Sequence, residues 1–288
     1  DHLDFHKNME EYFLAKRKLC AFLETDKGFA GINVDDPHGR HIAETFKGKK
    51  ITYGLKNEAD ITAENILLKY SSMEFGLLYK DENVSITSNL SGKFNVYNVM
   101  AAAGAAIALD IPLRVIAKAI EVLDIIPGRF ERINAGQKFH VIVDFAHSPD
   151  SMEQLLKTLR SMTRGKIILV FGCTGERDHD KRAIMGELAC KLADKVIIST
   201  DDPHNEDPEK IIAEVEEGMK RAGCRDGEKY IKIADRAAAI ENAIRGARDS
   251  DTVVLAGRGH EKFQDFAGRK VEIDDREVAR KVINSLGR

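Results

Sequence analysis

The 288-residue chain lacks several features that identify large classes of protein. It has no run of about 18 apolar residues, the length a membrane-spanning helix requires, so we expect no membrane insertion. Its first residues, DHLDFHKNME, are polar and acidic, unlike a secretory signal peptide. The formal net charge is −3, with 44 Lys and Arg against 47 Asp and Glu, which argues against a nucleic-acid-binding segment.

Cysteine is also scarce, and none of its spacings forms a CxxC pair. This pattern predicts free thiols in a reducing cytosol rather than a disulfide framework or a zinc site. We therefore expect a cytoplasmic protein. The four cysteines are Cys20, Cys173, Cys190 and Cys224.

Several phosphate-binding and hydrolase motifs are missing from the chain. There is no GxxxxGK[ST] loop, and GRGHEK lacks the third glycine of a dinucleotide-binding loop. There is no HExxH motif and no nucleophile elbow around a serine. The sequence therefore shows no conventional phosphate-binding loop or hydrolytic centre.

The hydrophobic pattern changes where Pro127 is followed by Gly128. Before this point it predicts one helix, an antiparallel meander of three strands and two alanine-rich helices. After it, five apolar strands alternate with helices, which is typical of a doubly wound parallel sheet. We predict an α/β fold with two domains, 1–127 and 128–288, each near the common domain size of roughly 150 residues.

Polar residues follow four strands of the second domain at the points where these strands end. Ligands of an open parallel sheet bind beyond the carboxyl ends of its strands, so we expect the four loops to form one site. Arginine would bind a carboxylate there and acidic side chains an ammonium group, as a zwitterionic ligand requires. The four loops contain Asp144–His147, the stretch ERDHDKR with Arg182, Asp201–His204 and Gly257–Glu261.

Two features of the first domain have more than one interpretation. Lys16 lies on the apolar stripe of the first predicted helix, four residues from both Tyr12 and Cys20. Its amino group either reaches water past the apolar surface or is neutralised, paired or modified, because an unpaired buried ammonium is costly. The opening DHLDFH holds two histidines and two aspartates in six residues, which suits either a divalent metal site or a frayed polar terminus.

Eight stretches of the chain together resemble the Mur ligases, and most closely their tripeptide synthetase (MurE) type. The resemblance spans almost the whole chain and implies a central ATPase domain followed by a C-terminal Rossmann-like ligase domain. It also implies that a Gly-rich ATP loop and a uridine-nucleotide domain would precede residue 1, so that the chain alone would be inactive. The stretches are DHLDFH with MEEYFLAK (1–16), INVDD (32–36), KFNVYNVMAA (93–102), PGRFE (127–131), VDFAHSPDSME (143–153), VFGCTGERDHDKRAIMG (170–186), STDDPHNEDP (199–208) and AGRGHEKFQ (256–264).

The resemblance implies an ATP-dependent ligase of peptidoglycan synthesis. Such an enzyme adds a diamino acid, such as L-lysine or meso-diaminopimelate, to UDP-N-acetylmuramoyl-L-alanyl-D-glutamate through an acyl phosphate. ATP and Mg²⁺ are the implied cofactors, and we expect a monomer. The alternatives are a related ligase of the folylpolyglutamate or cyanophycin type, and a non-catalytic module that binds an amino acid or a nucleotide.

The resemblance also assigns roles to individual residues. Arg182 matches the arginine that grips the carboxylate of the incoming amino acid. Magnesium would be supported by His2 and by Lys16 as a carbamate. The matched nucleotide contacts are Asn95, Asn98, Arg129, Asp144 and His147, and the matched amino-acid contacts are Arg182, Asp201, Asp202, Pro203, His204, Gly257 and Glu261.

One motif departs from the pattern of the members that add diaminopimelate. It reads DDPH where those members carry DNPR, so His204 replaces an arginine that pairs with the distal carboxylate. Asp202 places a negatively charged carboxylate where those members have the amide of asparagine. Both changes weaken the expectation of diaminopimelate and favour a second ammonium group, as in L-lysine or ornithine, although the motif is not typical of lysine-adding members either.

Overall fold

The computed structural model describes residues 5–23 and 28–287. These residues form two compact units that divide between Asp124 and Ile125, close to the predicted boundary at 127/128. In the part of the chain so described, no helix combines the length and the apolar character needed to cross a membrane.

The first unit is a five-stranded sheet with helices. Its strand order is β1-β2-β3-β4-β5, with parallel pairs up to β3 and antiparallel pairs from there to β5. The antiparallel part is the predicted meander, whereas β1, α2 and β2 were not predicted. The elements are α1 (Met9–Ala21), β1 (Phe29–Asn33), α2 (Pro37–Thr45), β2 (Lys49–Tyr53), β3 (Ile61–Lys69), β4 (Ser72–Tyr79), β5 (Glu82–Ser88), α3 (Lys93–Ile107) and α4 (Leu113–Glu121).

Helix α1 does not pack as its apolar stripe predicts. The side chain of Asn8 caps its first turn by accepting a hydrogen bond from the backbone N–H of Glu11 at 2.9 Å. Its apolar stripe predicts a buried face, and this is wrong, because no residue of α1 is buried. Lys16 is exposed, with Nζ 5.3 Å from the centroid of the Tyr12 ring. Burial therefore gives no reason for Lys16 to be neutralised or modified.

The second unit alternates strands and helices along the chain. The first of its strands, β6, is only two residues long and was not predicted from the sequence. Its elements are β6 (Glu131–Arg132), β7 (His140–Asp144), α5 (Pro149–Met162), β8 (Ile167–Phe171), α6 (Asp180–Leu192), β9 (Lys195–Ile198), α7 (Pro208–Arg221), β10 (Tyr230–Lys232), α8 (Arg236–Gly246), β11 (Thr252–Ala256), β12 (Phe263–Phe266), β13 (Arg269–Glu272) and α9 (Asp275–Ser285).

The main sheet of this unit has the order β10-β9-β8-β11-β7-β6 and is parallel except at the edge strand β6. Every residue of β8 and β11 is buried, as expected for parallel strands covered on both faces. This confirms the predicted doubly wound α/β fold. The carboxyl ends of β7, β8, β9 and β11 consequently lie at one edge of the sheet. A separate hairpin is formed by β12 and β13.

One prediction about the cysteines is wrong. Cys190, in α6, and Cys224, just after α7, form a disulfide with their Cα atoms 6.2 Å apart, whereas Cys20 and Cys173 are free. The pairing depends on close packing of the two helices. A Cβ atom added at Gly186 would lie 2.1 Å from the carbonyl oxygen of Val215, so these backbones touch. Sequence spacing does not reveal such packing.

Candidate functional site

A cavity of about 310 Å³ lies at the carboxyl edge of the parallel sheet in the second unit. The four loops that were predicted to form one site all contribute to it. These loops follow β7, β8, β9 and β11. We call it the sheet-edge cavity. It is lined by Phe145, His147, Thr174, Arg177, Lys181, Asp201, Asp202, His204, Gly257 and Glu261.

A buried arginine sits among the acidic residues of this cavity. Arg258 is fully buried, and its Nη1 atom lies 2.9 Å from Asp202 Oδ1 and 3.3 Å from Asp201 Oδ1. The same atom is 4.0 Å from Glu261 Oε2. Oxygen atoms of the three acids lie within 4.8 Å of one another, close enough to hold a cation. The guanidinium of Arg258 already supplies positive charge at that point.

The carboxyl group of Glu261 titrates near neutral pH. Burial raises its pKa to about 7; the negative charges of Asp201 and Asp202 act in the same direction, and Arg258 opposes them. Burial likewise raises the pKa of Asp201. The charge of Glu261 therefore changes around pH 7.

The hairpin of β12 and β13 holds the DDPH loop in place. The backbone N–H of Asp265 donates to Asp202 Oδ1 at 3.0 Å, and Gln264 Nε2 donates to the carbonyl oxygen of Asp201 at 2.6 Å. His204 has φ of +49° and donates its N–H to the carbonyl oxygen of Asp265 at 3.0 Å. Oδ1 of Asp202 therefore accepts hydrogen bonds from two protein groups, Arg258 Nη1 and the N–H of Asp265.

Arg182 does not line the sheet-edge cavity. It is fully buried, and its guanidinium donates to Glu206 at 2.8 and 2.9 Å and to Glu214 at 2.9 Å. The cationic side chains in the cavity lining are instead Arg177 and Lys181, from the same ERDHDKR stretch. The role that the resemblance gives to Arg182 therefore has no support from its position.

The three residues predicted to contact the nucleotide from the second unit lie around Phe145. The guanidinium of Arg129 is 4.7 Å from the centroid of the Phe145 ring, and the ring of His147 is also 4.7 Å from it. Asp144 accepts hydrogen bonds from the N–H groups of Phe130 at 2.7 Å and Ala146 at 2.9 Å. Burial nevertheless raises its pKa to about 6.

The remaining predicted residues belong to the first unit. Asn95 is buried, donates to the carbonyl oxygen of Ser91 at 2.6 Å and accepts from Asn98 Nδ2 at 2.9 Å. It thereby orients Asn98, which is exposed. His2 lies outside the described residues. Pro203 lies in the DDPH loop, where its carbonyl oxygen faces Gly175.

Comparison with known proteins identifies the family. The profile of the Mur ligase middle domain matches residues 1–106, and that of the Mur ligase glutamate ligase domain matches residues 128–259. The chain belongs to the Mur ligase family. This confirms the family predicted from the sequence.

Relatives of this Mur ligase chain include ligases named for 2,6-diaminopimelate. The UDP-N-acetylmuramoyl-L-alanyl-D-glutamate–2,6-diaminopimelate ligase of Bacillus licheniformis is 43% identical over 292 residues, which cover 99% of this chain and 58% of the relative. A solved structure of a ligase of the same name is 33% identical, with a TM-score of 0.60 over 99% of this chain and 58% of that one. The chain thus spans less than two thirds of these relatives.

A more distant solved structure shares the fold. The MurF ligase of Thermotoga maritima, in complex with ADP, is 17% identical, with a TM-score of 0.73 over 99% of this Mur ligase chain and 60% of that one. This likeness shows that the two proteins share their fold.

Proposed function

We propose that this chain forms the nucleotide-binding and amino-acid-binding part of an ATP-dependent ligase of peptidoglycan synthesis. The ligase joins a diamino acid to UDP-N-acetylmuramoyl-L-alanyl-D-glutamate. ATP phosphorylates the D-glutamyl carboxylate and leaves as ADP. The amine nitrogen of the amino acid then forms the amide bond, loses a proton and displaces phosphate. We assign adenine contacts to residues 1–127 and amino-acid binding to residues 128–288.

The composition of the sheet-edge cavity carries this proposal. Its lining combines the cations Arg177 and Lys181 with the acid Glu261. A free amino acid presents a carboxylate and an ammonium group, and these need a cationic and an anionic partner in one small space. Arg177 takes the place in this proposal that the sequence assigned to Arg182, because Arg182 is paired elsewhere.

An amino acid with a second carboxylate and a second ammonium group suits the cavity better than one with only a second ammonium group. Asp202 is paired with Arg258, whose Nη1 lies 2.9 Å from its Oδ1, so this carboxylate is not free to pair with a second ammonium group. His204 and Arg177 both line the cavity and can contact carboxylates. The two relatives compared above are also named as diaminopimelate ligases. We therefore propose meso-diaminopimelate rather than L-lysine or ornithine.

The residues predicted to contact ATP are better suited to their ligand than the residues predicted to bind Mg²⁺ are to theirs. Asn98 is exposed and oriented by Asn95, as an amide that contacts a purine edge must be. A lysine ammonium has no lone pair for a metal, so Lys16 would support Mg²⁺ only as a carbamate. The magnesium site that the resemblance implies consists of His2 and Lys16. His2 lies outside the described residues, and Lys16 by itself does not form the site.

Amino-acid-dependent phosphate release tests the proposal. The full-length ligase is supplied with ATP, Mg²⁺ and UDP-N-acetylmuramoyl-L-alanyl-D-glutamate, and with meso-diaminopimelate, L-lysine or ornithine in parallel. We expect release that requires meso-diaminopimelate. Phosphate release with L-lysine or ornithine but not with meso-diaminopimelate would refute the proposal that diaminopimelate is the amino acid. Release with none, although the protein binds ATP, would favour the non-catalytic binding module.

A further inference from the structure

We propose that Arg182 and Glu206 form a positioning pair, which fixes the turn 174–177 and so directs Arg177 into the sheet-edge cavity. Neither member of the pair lines the cavity. The inference rests on the proposed function, because Arg177 is the side chain proposed to bind the carboxylate of the amino acid. It gives Arg182 a role in amino-acid binding that is exerted through the turn rather than by contact.

The pair has the geometry of a strong, directional interaction. Arg182 Nη1 donates to Glu206 Oε2 at 2.8 Å, and Nη2 donates to Glu206 Oε1 at 2.9 Å. This is the two-point contact that only the planar fork of arginine makes with a carboxylate. The guanidinium also lowers the pKa of Glu206 to about 2, so the carboxylate stays charged at neutral pH.

The pair holds the turn at backbone groups on either side of Gly175. Arg182 Nη2 donates to the carbonyl oxygen of Thr174 at 3.2 Å. Glu206 accepts a hydrogen bond from the backbone N–H of Glu176. The N–H of Gly175 between them donates to the carbonyl oxygen of Asp202 at 2.7 Å. Three successive residues of the turn are thus bound just before Arg177.

The conformation of the turn explains why it needs this support. Glu176 has φ of +53°, a left-handed conformation that costs a residue with a side chain roughly 1 kcal/mol. A Cβ atom at Gly175 would lie 2.0 Å from the carbonyl oxygen of Pro203, so the turn lies directly against the DDPH loop. Arg177 is exposed, and the path of the preceding turn sets where its guanidinium can reach. Losing the pair would let Glu176 relax and move Arg177.

Amide hydrogen exchange tests the link between the pair and the turn without any ligand. Glu206→Ala removes the acceptor of the Glu176 N–H, and Arg182→Lys keeps the charge but loses the fork. We expect exchange at Glu176 to rise at least tenfold in Glu206→Ala and several-fold in Arg182→Lys. Glu214→Gln is the matched control, because Glu214 binds the same guanidinium at 2.9 Å but is not bonded to the turn. We expect less than a twofold change there. Unchanged exchange in both test variants would overturn the proposal.

Kinetics of the full-length ligase test whether the turn acts through Arg177. We expect Arg182→Lys and Glu206→Ala to raise KM for the amino acid at least tenfold and to leave KM for ATP within twofold. Adding Arg182→Lys to Arg177→Ala should cost nothing further in amino-acid KM, because the turn would have no guanidinium left to direct. Additive effects would overturn the positioning role. If wild-type protein turns over no amino acid, the proposed function fails, and the exchange experiment still decides whether the pair holds the turn.

Discussion

Arg258 Nη1 lies 2.9 Å from Asp202 Oδ1, so the second aspartate of the DDPH motif is bound within the protein. Arg258 is fully buried, and the side chain of Asp202 is only 16% exposed. Removing one partner of such an ion pair destabilises the protein, because it leaves the other charge buried without compensation. Asp202 is thus paired within the protein rather than with a ligand, although its charge still raises the pKa of Glu261.

Asp202→Asn should therefore leave the choice of amino acid nearly unchanged. Asparagine retains an oxygen that can accept hydrogen bonds from Arg258 and from the N–H of Asp265. We expect the ratio of kcat/KM for meso-diaminopimelate and L-lysine to stay within threefold of the wild type. Asp202→Ala, the comparison variant, should lower the free energy of unfolding by about 2 kcal/mol, the usual scale for losing a hydrogen bond to a charged group. A shift in preference above tenfold in Asp202→Asn would mean that Asp202 contacts the substrate.

Binding of the amino acid should strengthen as the pH rises through 7. Burial raises the pKa of Glu261 to about 7, so its carboxyl group is mostly protonated at pH 6 and mostly ionised at pH 8. Only the ionised form attracts an ammonium group. We expect KM for the amino acid to fall by about tenfold from pH 6 to pH 8, since the ionised fraction rises by that factor.

The Glu261→Gln variant separates this effect from other titrations in the cavity. It should have a higher KM that varies little between pH 6 and 8. His204→Gln should keep the pH dependence of the wild type. The assignment to Glu261 would be refuted by a Glu261→Gln variant that retains the full pH dependence.

The sequence predicted where the site lies but not which cation faces it. The carboxyl ends of parallel strands share one edge, so the loops with His147, Asp201 and Glu261 could be expected to meet. Whether Arg177 or Arg182 enters the cavity depends on the left-handed turn at Glu176 and on the start of α6 at Asp180. Neither follows from residue type, because a left-handed glutamate is held by contacts distant in sequence.

The errors in the sequence interpretation have a related physical cause. The apolar spacing around Lys16 indicated a buried face, but spacing alone does not show what packs against a helix. The Cys190–Cys224 pair is separated by 34 residues and depends on how α6 lies on α7. Local patterns predicted the second unit well because strand and helix alternate there regularly. They missed β1, α2 and β2, and of these α2 and β2 carry few apolar residues.

Arg177→Ala should weaken amino-acid binding without harming the fold. Arg177 is exposed and lines the cavity, so its removal leaves no buried group without a partner. We expect KM for the amino acid to rise at least tenfold, consistent with the roughly 1.5–3 kcal/mol of a charged hydrogen bond, and the melting temperature to stay within about 1 °C. Arg177→Lys should lie between the wild type and Arg177→Ala. An unchanged KM in Arg177→Ala would remove Arg177 from the site.

The Cys190–Cys224 disulfide predicts a defined pattern of alkylation. In denatured but unreduced protein, we expect alkylating reagent to label two cysteines, Cys20 and Cys173, and to label four after reduction. Mass spectrometry counts the labels directly. Crosslinks that close loops of this size stabilise proteins by about 3–4 kcal/mol, so reduction should lower the melting temperature. Four labels before reduction would show that the pair is not formed in solution.

Arg236 and Asp275 form a second buried ion pair, beneath the carboxyl end of β11. Both side chains are fully buried, and Arg236 Nη2 lies 2.6 Å from Asp275 Oδ2 and 3.0 Å from the carbonyl oxygen of Ala256. Ala256 immediately precedes Gly257 of the cavity. We expect Asp275→Ala to lower the free energy of unfolding by about 3–5 kcal/mol, because it leaves the buried guanidinium without its counter-ion. Urea denaturation at pH 7 measures this change.

The double variant Arg236→Met with Asp275→Leu separates the cost of breaking the pair from the value of having it. Apolar residues that replace both partners leave no uncompensated charge, so we expect the double variant to be more stable than Asp275→Ala by at least about 2 kcal/mol. Such a result would mean that most of the loss in Asp275→Ala comes from the uncompensated guanidinium rather than from the absence of the pair itself. A double variant as unstable as Asp275→Ala would instead assign the pair to stability, and an Asp275→Ala change below 1 kcal/mol would contradict the burial on which the argument depends.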